Sequence, residues 1–134
     1  MTKVVLKGVF QITQWDETAY AEHEDGTKQT IANIKQTYSG DITGSADIRY
    51  VMSYQQDTTA VFTGLEELNI TTPEITGRII FQHNGTFVTG VAQSEFHIIA
   101  GSGTENLTEY IGQGEFTSTE NGQAEYVITL NIAS

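Results

Sequence analysis

The sequence contains no cysteine and a single proline among its 134 residues. The lack of cysteine excludes disulfides, thiolate metal sites and a cysteine nucleophile. Thirteen glycines, six tyrosines and six phenylalanines favour strands and turns over helices. Charged residues make up 17% of the chain and hydrophobic ones 38%, which does not suit a membrane-spanning helix. This composition indicates one globular domain over residues 1–134, long enough to bury a core without cross-links.

Basic residues are also scarce, since six Lys and Arg stand against 17 Asp and Glu and the formal net charge is −11. A surface this acidic repels phosphate groups, so we expect neither nucleic acid nor a membrane as a partner. We interpret the acidity as a property that keeps a β-rich protein in solution, because like charges on the surface oppose association. Residues 1–6 lack the apolar core of a signal peptide, so we expect a cytoplasmic protein.

Alternation of apolar and polar residues predicts eight strands in series, with short connections and no helix. The predicted strands are residues 3–15, 30–39, 45–54, 60–70, 77–83, 86–100, 109–117 and 124–132. The dipeptides Asp25-Gly26, Asn84-Gly85 and Asn121-Gly122 are typical of tight turns, and the second is the strongest hairpin signal. Sequential strands that each bury one face close on themselves or stack, because open edges invite aggregation. We therefore predict an all-β fold, a closed eight-stranded antiparallel up-and-down barrel, with a sandwich as the alternative.

Several short strings support a family resemblance that extends over nearly the whole chain. In order they are Gln14-Trp15-Asp16-Glu17, Gln36-Thr37-Tyr38-Ser39-Gly40-Asp41-Ile42, Gly64-Leu65-Glu66, Phe81-Gln82-His83-Asn84-Gly85, Gly101-Ser102-Gly103-Thr104 and Gly112-Gln113-Gly114. The sequence resembles a bacterial family of uncharacterised single-domain proteins, which is similar to the allene oxide cyclase barrel, a lipocalin-like fold shared with plant dirigent proteins. The resemblance implies a barrel with an interior cavity and a tendency to form oligomers. No catalytic motif of the plant enzymes can be placed on these residues, so their activity is not implied.

Two residues on adjacent predicted strands are candidates for catalysis, Glu66 and His83. Glu66 lies on an otherwise apolar face, although a bulge would place Glu67 there instead. If Ile70 lies opposite Gly77, Glu66 and His83 are diagonal neighbours within side-chain reach. A buried carboxylate without a partner is costly, so we expect burial to favour the protonated acid. A histidine beside a hairpin turn is otherwise typical of the solvated rim of a barrel.

Other inward-facing residues are candidates for contact with a ligand, because a few polar groups in an apolar cavity are typical of a small-molecule site. They are Gln36, Tyr38, Tyr50, Tyr54, Phe62 and Phe81. Tyrosine is also an ordinary core residue of barrels. No metal site or cofactor is expected, since the acidic segment lacks EF-hand spacing and the loop Gly101-Ser102-Gly103-Thr104 lacks the lysine of a phosphate-binding loop.

Three functions remain open at this stage. The leading one is a binding module that holds an apolar or amphipathic small molecule in the barrel. The second is an isomerase, cyclase or lyase that uses Glu66 as a general acid or base. The third is a ligand-free structural or oligomerisation protein. We expect a homo-oligomer, with Val51 and Ile80 as outward-facing apolar residues.

Overall fold

The computed structural model describes residues 3–132 as eight strands and one short 3₁₀ helix. The strands are β1 (Lys3–Glu22), β2 (Lys28–Gly40), β3 (Gly44–Tyr54), β4 (Ala60–Ile70), β5 (Gly77–Val88), β6 (Val91–Ile98), β7 (Tyr110–Ser118) and β8 (Gln123–Ile132), and the helix is Glu105–Leu107. Each strand pairs antiparallel with its neighbour in sequence, and β8 pairs with β1. The sheet is therefore a closed up-and-down barrel, and the predicted fold is confirmed.

The predicted register between β4 and β5 is also confirmed. Ile70 lies opposite Gly77, and Glu66 lies opposite Phe81. Alternate residues of β4 are buried and exposed along its whole length. Glu66 therefore faces inward, while Glu67 is exposed on the outer face. Across residues 3–132, no helix has the length and apolarity that a membrane span requires.

The predicted hairpin turn at Asn84-Gly85 is wrong, because β5 continues through it to Val88. Gly85 is needed here for close packing: a Cβ would lie 2.2 Å from the ring of Phe62 and 2.4 Å from the carbonyl of Gln93. The chain turns instead at Thr89-Gly90, where both residues have positive φ (53° and 79°), as a type I′ turn requires. An Asn-Gly dipeptide is typical of a hairpin turn, but at this position interior packing accounts for the glycine.

The first strand is longer than predicted, since it continues past Trp15 to Glu22. A bulge between Ile12 and Gln14 shifts the alternation of side chains by one residue. The shift places Glu17 opposite Ala32, which faces inward on β2. The sequence pattern missed this half of the strand because the bulge and the acidic composition hide its period of two.

The two ends of the barrel differ. At the closed end, the loops of residues 41–43, 71–76 and 99–109 contribute Ile42, Ile75 and Leu107 to the hydrophobic core. The hydroxyl of Tyr126 joins this end to the sheet, because it donates to the carbonyl of Ser39 (2.8 Å) and accepts from the N–H of Ile42 (3.0 Å). The opposite, open end carries the turns of residues 23–27, 55–59, 89–90 and 119–122, and it contains a cavity.

Candidate functional site

The cavity at the open end has a volume of about 280 Å³ and mostly apolar walls. Three of the predicted ligand residues line it, Gln36, Tyr50 and Phe62. Trp15 stands at its rim with 43% of its surface exposed, as a rim residue would. The volume is near the lower limit of small-molecule pockets, about 300–1,000 Å³. The site therefore suits a compact ligand.

Most of the apolar wall comes from residues that the sequence did not single out as ligand contacts. They are Phe10, Ile12, Ile34, Met52, Phe87, Ala92, Phe116 and Ala124. Their alternation along the strands places them inside the barrel, as it does any core residue. They line a cavity because no side chain fills this end of the described chain, and that property arises from packing between distant strands.

Beneath the cavity, Glu66 and His83 form a buried pair. Nε2 of His83 lies 2.7 Å from Oε1 of Glu66, and the two side chains are 0% and 1% exposed. Nδ1 of His83 lies 2.8 Å from the hydroxyl of Ser94 on β6. Both ring nitrogens of His83 thus have partners. His83 is not a rim residue, because the hairpin turn begins six residues beyond it, at Thr89.

The second oxygen of Glu66 meets two further side chains of β2. The hydroxyl of Tyr38 donates a short hydrogen bond to Oε2, and Nε2 of Gln36 lies 3.3 Å from the same atom. Burial and the neighbouring Glu66 raise the pKa of Tyr38 well above its usual value. Tyr38 therefore serves as a proton donor in this bond. The carboxyl group has partners on both oxygens, which is the requirement for burying it.

A serine, a histidine and a carboxylate in series are also the parts of a nucleophilic triad. Ser94 is 4% exposed, and its Oγ lies 3.3 Å from the backbone carbonyls of Asn84 and Glu95. Ser94 is therefore nearly buried and does not line the cavity at the open end. The two contacts hold the orientation of the His83 ring, which is the role of a partner at the far ring nitrogen.

Gln36 and Tyr50 lie at the boundary between the cavity and this network. Glu66 and His83 do not line the cavity, whereas Gln36 lines it and also contacts Glu66. The ring of Tyr50 lies edge-on to His83, with 5.4 Å between centroids. Burial, and secondarily the charge of Glu66, raise the pKa of Tyr50 well above its usual value. Gln36 and Tyr50 therefore connect the cavity wall to the buried pair, so a ligand that moved either side chain would also change the surroundings of Glu66 and His83.

The remaining predicted ligand residues lie elsewhere. The hydroxyl of Tyr54 donates to Oε2 of Glu17 (2.7 Å), and the hydroxyl of Thr30 donates to the same atom (2.6 Å). The indole N–H of Trp15 donates to Oε1 of Glu17 (3.0 Å). Partial burial acts to raise the pKa of Glu17, but these hydrogen bonds outweigh it and the pKa is lowered. Phe81 is fully buried against Phe96 and does not line the cavity. Within residues 3–132, no group of three acidic or histidine side chains could hold a metal ion.

Comparisons with known proteins identify a family but no activity. The sequence pattern of DUF3224, described as a protein of unknown function, matches residues 6–130. A crystal structure of a protein with unknown function from the same family, from Shewanella oneidensis MR-1, is 22% identical with a TM-score of 0.81. The alignment covers 100% of this chain and 98% of that one. No curated protein matches the chain. At this identity the structural likeness carries the fold alone.

Proposed function

The chain belongs to the DUF3224 family of unknown function, and we propose that it binds a small apolar molecule in the cavity at the open end of its barrel. One observation carries the proposal: the open end holds about 280 Å³ of space with apolar walls, whereas loop residues fill the closed end. Empty apolar space lowers the stability of a fold, so an unfilled apolar end favours a site that a ligand occupies.

The chemistry of the wall supports the same function. Phe10, Phe62 and Phe116 offer aromatic surface, and Gln36 and Tyr50 add two polar groups on the inner wall. Apolar walls supply affinity, while a small number of placed polar groups fix the orientation of the ligand. The proposal includes the similarity to the lipocalin-like allene oxide cyclase barrel as a fold analogy only.

A fluorescent neutral dye, N-phenyl-1-naphthylamine, tests the proposal when it is titrated into the purified protein. The wild type should give a saturable rise in fluorescence. The variant Ala92→Phe fills the cavity and should abolish that rise, while Val91→Phe, one residue away on the outer face of β6, should retain it. A saturable signal that is equal in both variants would place the dye outside the barrel and refute the proposal.

The second candidate function is an isomerase or cyclase that uses Glu66 as a general acid or base. The continuous hydrogen-bonded series from Tyr38 through Glu66 to His83 favours it, because such a series can move a proton. Gln36 lies between the cavity and Glu66, so proton transfer would require a substrate group or one bridging water to reach the carboxyl group past this side chain. Glu66→Gln separates the two functions. An enzyme would keep its affinity for the ligand and lose turnover, whereas a carrier would keep its affinity and show no turnover before or after the change.

A cytoplasmic location and a homo-oligomeric state complete the proposal. Val51 is 42% exposed on the outer face of β3, and Ile80 faces outward on β5 with part of its surface covered. Together with Val61 and Leu65 they make the outer face of β3–β5 the candidate contact surface. Light scattering at micromolar concentration measures the mass, and the mass of one chain would refute the oligomer.

A further inference from the structure

We propose that the cavity selects neutral ligands that carry a hydroxyl group at their inner end, such as phenols, and rejects carboxylates of the same size. This inference rests on the proposed function, because it names the class of ligand that the same cavity would hold. Three features of the wall support it: its charges, its unpaired polar groups and the cost of burying an anion there.

The charges of the lining residues exclude an ion pair with an anionic ligand. The lining contains no Lys, Arg or His, and its one charged residue is Glu120 at the mouth. The formal net charge of the chain is −11, so the surrounding field adds to the same effect. A carboxylate held at the mouth would meet Glu120, and one held at the inner end would have no cation near it.

The two polar residues of the inner wall have groups without a hydrogen-bond partner among residues 3–132. Gln36 is 3% exposed and directs Nε2 to Tyr38 (3.2 Å) and Glu66 (3.3 Å), so its carbonyl oxygen is left for the cavity. Tyr50 is 5% exposed and lines the same cavity, and its hydroxyl makes no hydrogen bond to any of residues 3–132. Among residues 3–132 these groups form one acceptor and one hydroxyl, the complement of a ligand O–H.

An anion at the inner end would be poorly solvated. Of the two polar groups only the Tyr50 hydroxyl can donate, since the amide protons of Gln36 are directed to Glu66 and Tyr38. A buried carboxylate needs several donors or a cation to replace the water that it loses. A neutral hydroxyl needs one acceptor and one donor, which Gln36 and Tyr50 provide.

Calorimetric titration of the purified protein with 2-naphthol, 2-naphthoate and naphthalene tests the inference, because the three share one ring system. We expect 2-naphthol to bind at least about tenfold more tightly than 2-naphthoate at neutral pH. Equal binding of the two, or tighter binding of 2-naphthoate, would overturn the inference and leave the proposed function standing. If neither 2-naphthol nor naphthalene binds, the proposed function fails as well.

The variant Tyr50→Phe locates the selectivity, because it removes only the free hydroxyl. We expect its affinity for 2-naphthol to fall about three- to tenfold, with its affinity for naphthalene unchanged. Tyr20→Phe, at an exposed tyrosine that does not line the cavity, is the matched control and should change 2-naphthol binding less than about twofold. An unchanged affinity of Tyr50→Phe for 2-naphthol would overturn the assignment of the inner-end hydroxyl site.

Discussion

The closed and open ends of this barrel are built from the same alternating strands, yet only one of them is filled. At the closed end, Ile42 and Leu107 come from loops and are 0% exposed. At the open end, the turn at Thr89-Gly90 is too short to supply a plug, and about 280 Å³ remains unfilled. Which loops turn an apolar side chain into the barrel, and not loop length alone, therefore decides which end is filled, since the loop that supplies Ile42 has only three residues.

Two buried tyrosines show the difference at the level of single atoms. The hydroxyl of Tyr126 at the closed end both donates, to Ser39, and accepts, from Ile42. Tyr50 at the open end lines a cavity, and its hydroxyl makes no hydrogen bond within residues 3–132. A buried hydroxyl is usually paired. The unpaired hydroxyl therefore lies at the end of the barrel where we propose that a ligand binds.

The largest effect is expected where the two ends meet, at the buried pair. His83→Leu leaves Oε1 of the buried carboxyl group of Glu66 without its hydrogen-bond partner, so the free energy of unfolding should fall by about 3–5 kcal/mol. The exposed His97→Leu is the control and should change it by less than about 0.5 kcal/mol. Chemical denaturation measures both variants. Similar small losses in the two would mean that the buried network contributes nothing to the fold.

Truncation of one side chain at each end sharpens the comparison. Leu107→Ala at the closed end removes a fully buried side chain and should cost about 2–5 kcal/mol of unfolding free energy. Met52→Ala at the open end should cost clearly less, because Met52 already borders open space on one side. Denaturant titration of both variants provides the comparison. A larger loss for Met52→Ala would indicate that the open end is as tightly packed as the closed one.

The same substitution at the two tyrosines should have different effects. Tyr126→Phe leaves the N–H of Ile42 without its partner and should cost about 1–3 kcal/mol. Tyr50→Phe removes a hydroxyl that makes no hydrogen bond to residues 3–132, so the free energy of unfolding should stay within about 0.5 kcal/mol of the wild type. Thermal and chemical unfolding of the pair measure the difference. Equal losses would contradict the assignment of a free hydroxyl to Tyr50.

The smallest effect concerns the rim of the open end and depends on pH. The pKa of Glu17 is lowered in the folded protein, since hydrogen bonds from Thr30 and Tyr54 outweigh its partial burial. Its contribution to stability is therefore present above the unfolded pKa and is lost as the pH falls through the folded pKa. Glu17→Gln should lower the melting temperature slightly at pH 7, and the difference should disappear in acid. A constant difference from pH 7 to acid would contradict the lowered pKa.

Much of the fold could be predicted from the sequence, because alternation of side chains with a period of two fixes both strand position and face. The register that makes Glu66 and His83 neighbours follows from this alternation and the short loop after Ile70. Prediction from the alternation failed at the bulge after Ile12, because the extra residue interrupts the period of two. It also failed at Gly85, where packing against Phe62 accounts for a glycine that resembles a turn.

The site could be predicted only in part. The polar partners of Glu66 were available from the sequence, since the inward positions of β2 and β5 name Gln36, Tyr38 and His83. Ser94 shares an inward face as well, but nothing in its local sequence indicates contact with His83 across the hairpin. The cavity depends on which loops fold inward, and strand periodicity holds no information about that.

The most direct test of a binding cavity at the open end is a two-dimensional ¹H–¹⁵N NMR titration of the labelled protein with 2-naphthol. The account predicts saturable shifts for backbone amides around the cavity, such as Met52, Ala92 and Phe116, and for the side-chain amide of Gln36. Amides of the closed end, represented by Leu107, should not shift. Shifts confined to the outer face of the barrel, or none that saturate, would contradict the central claim.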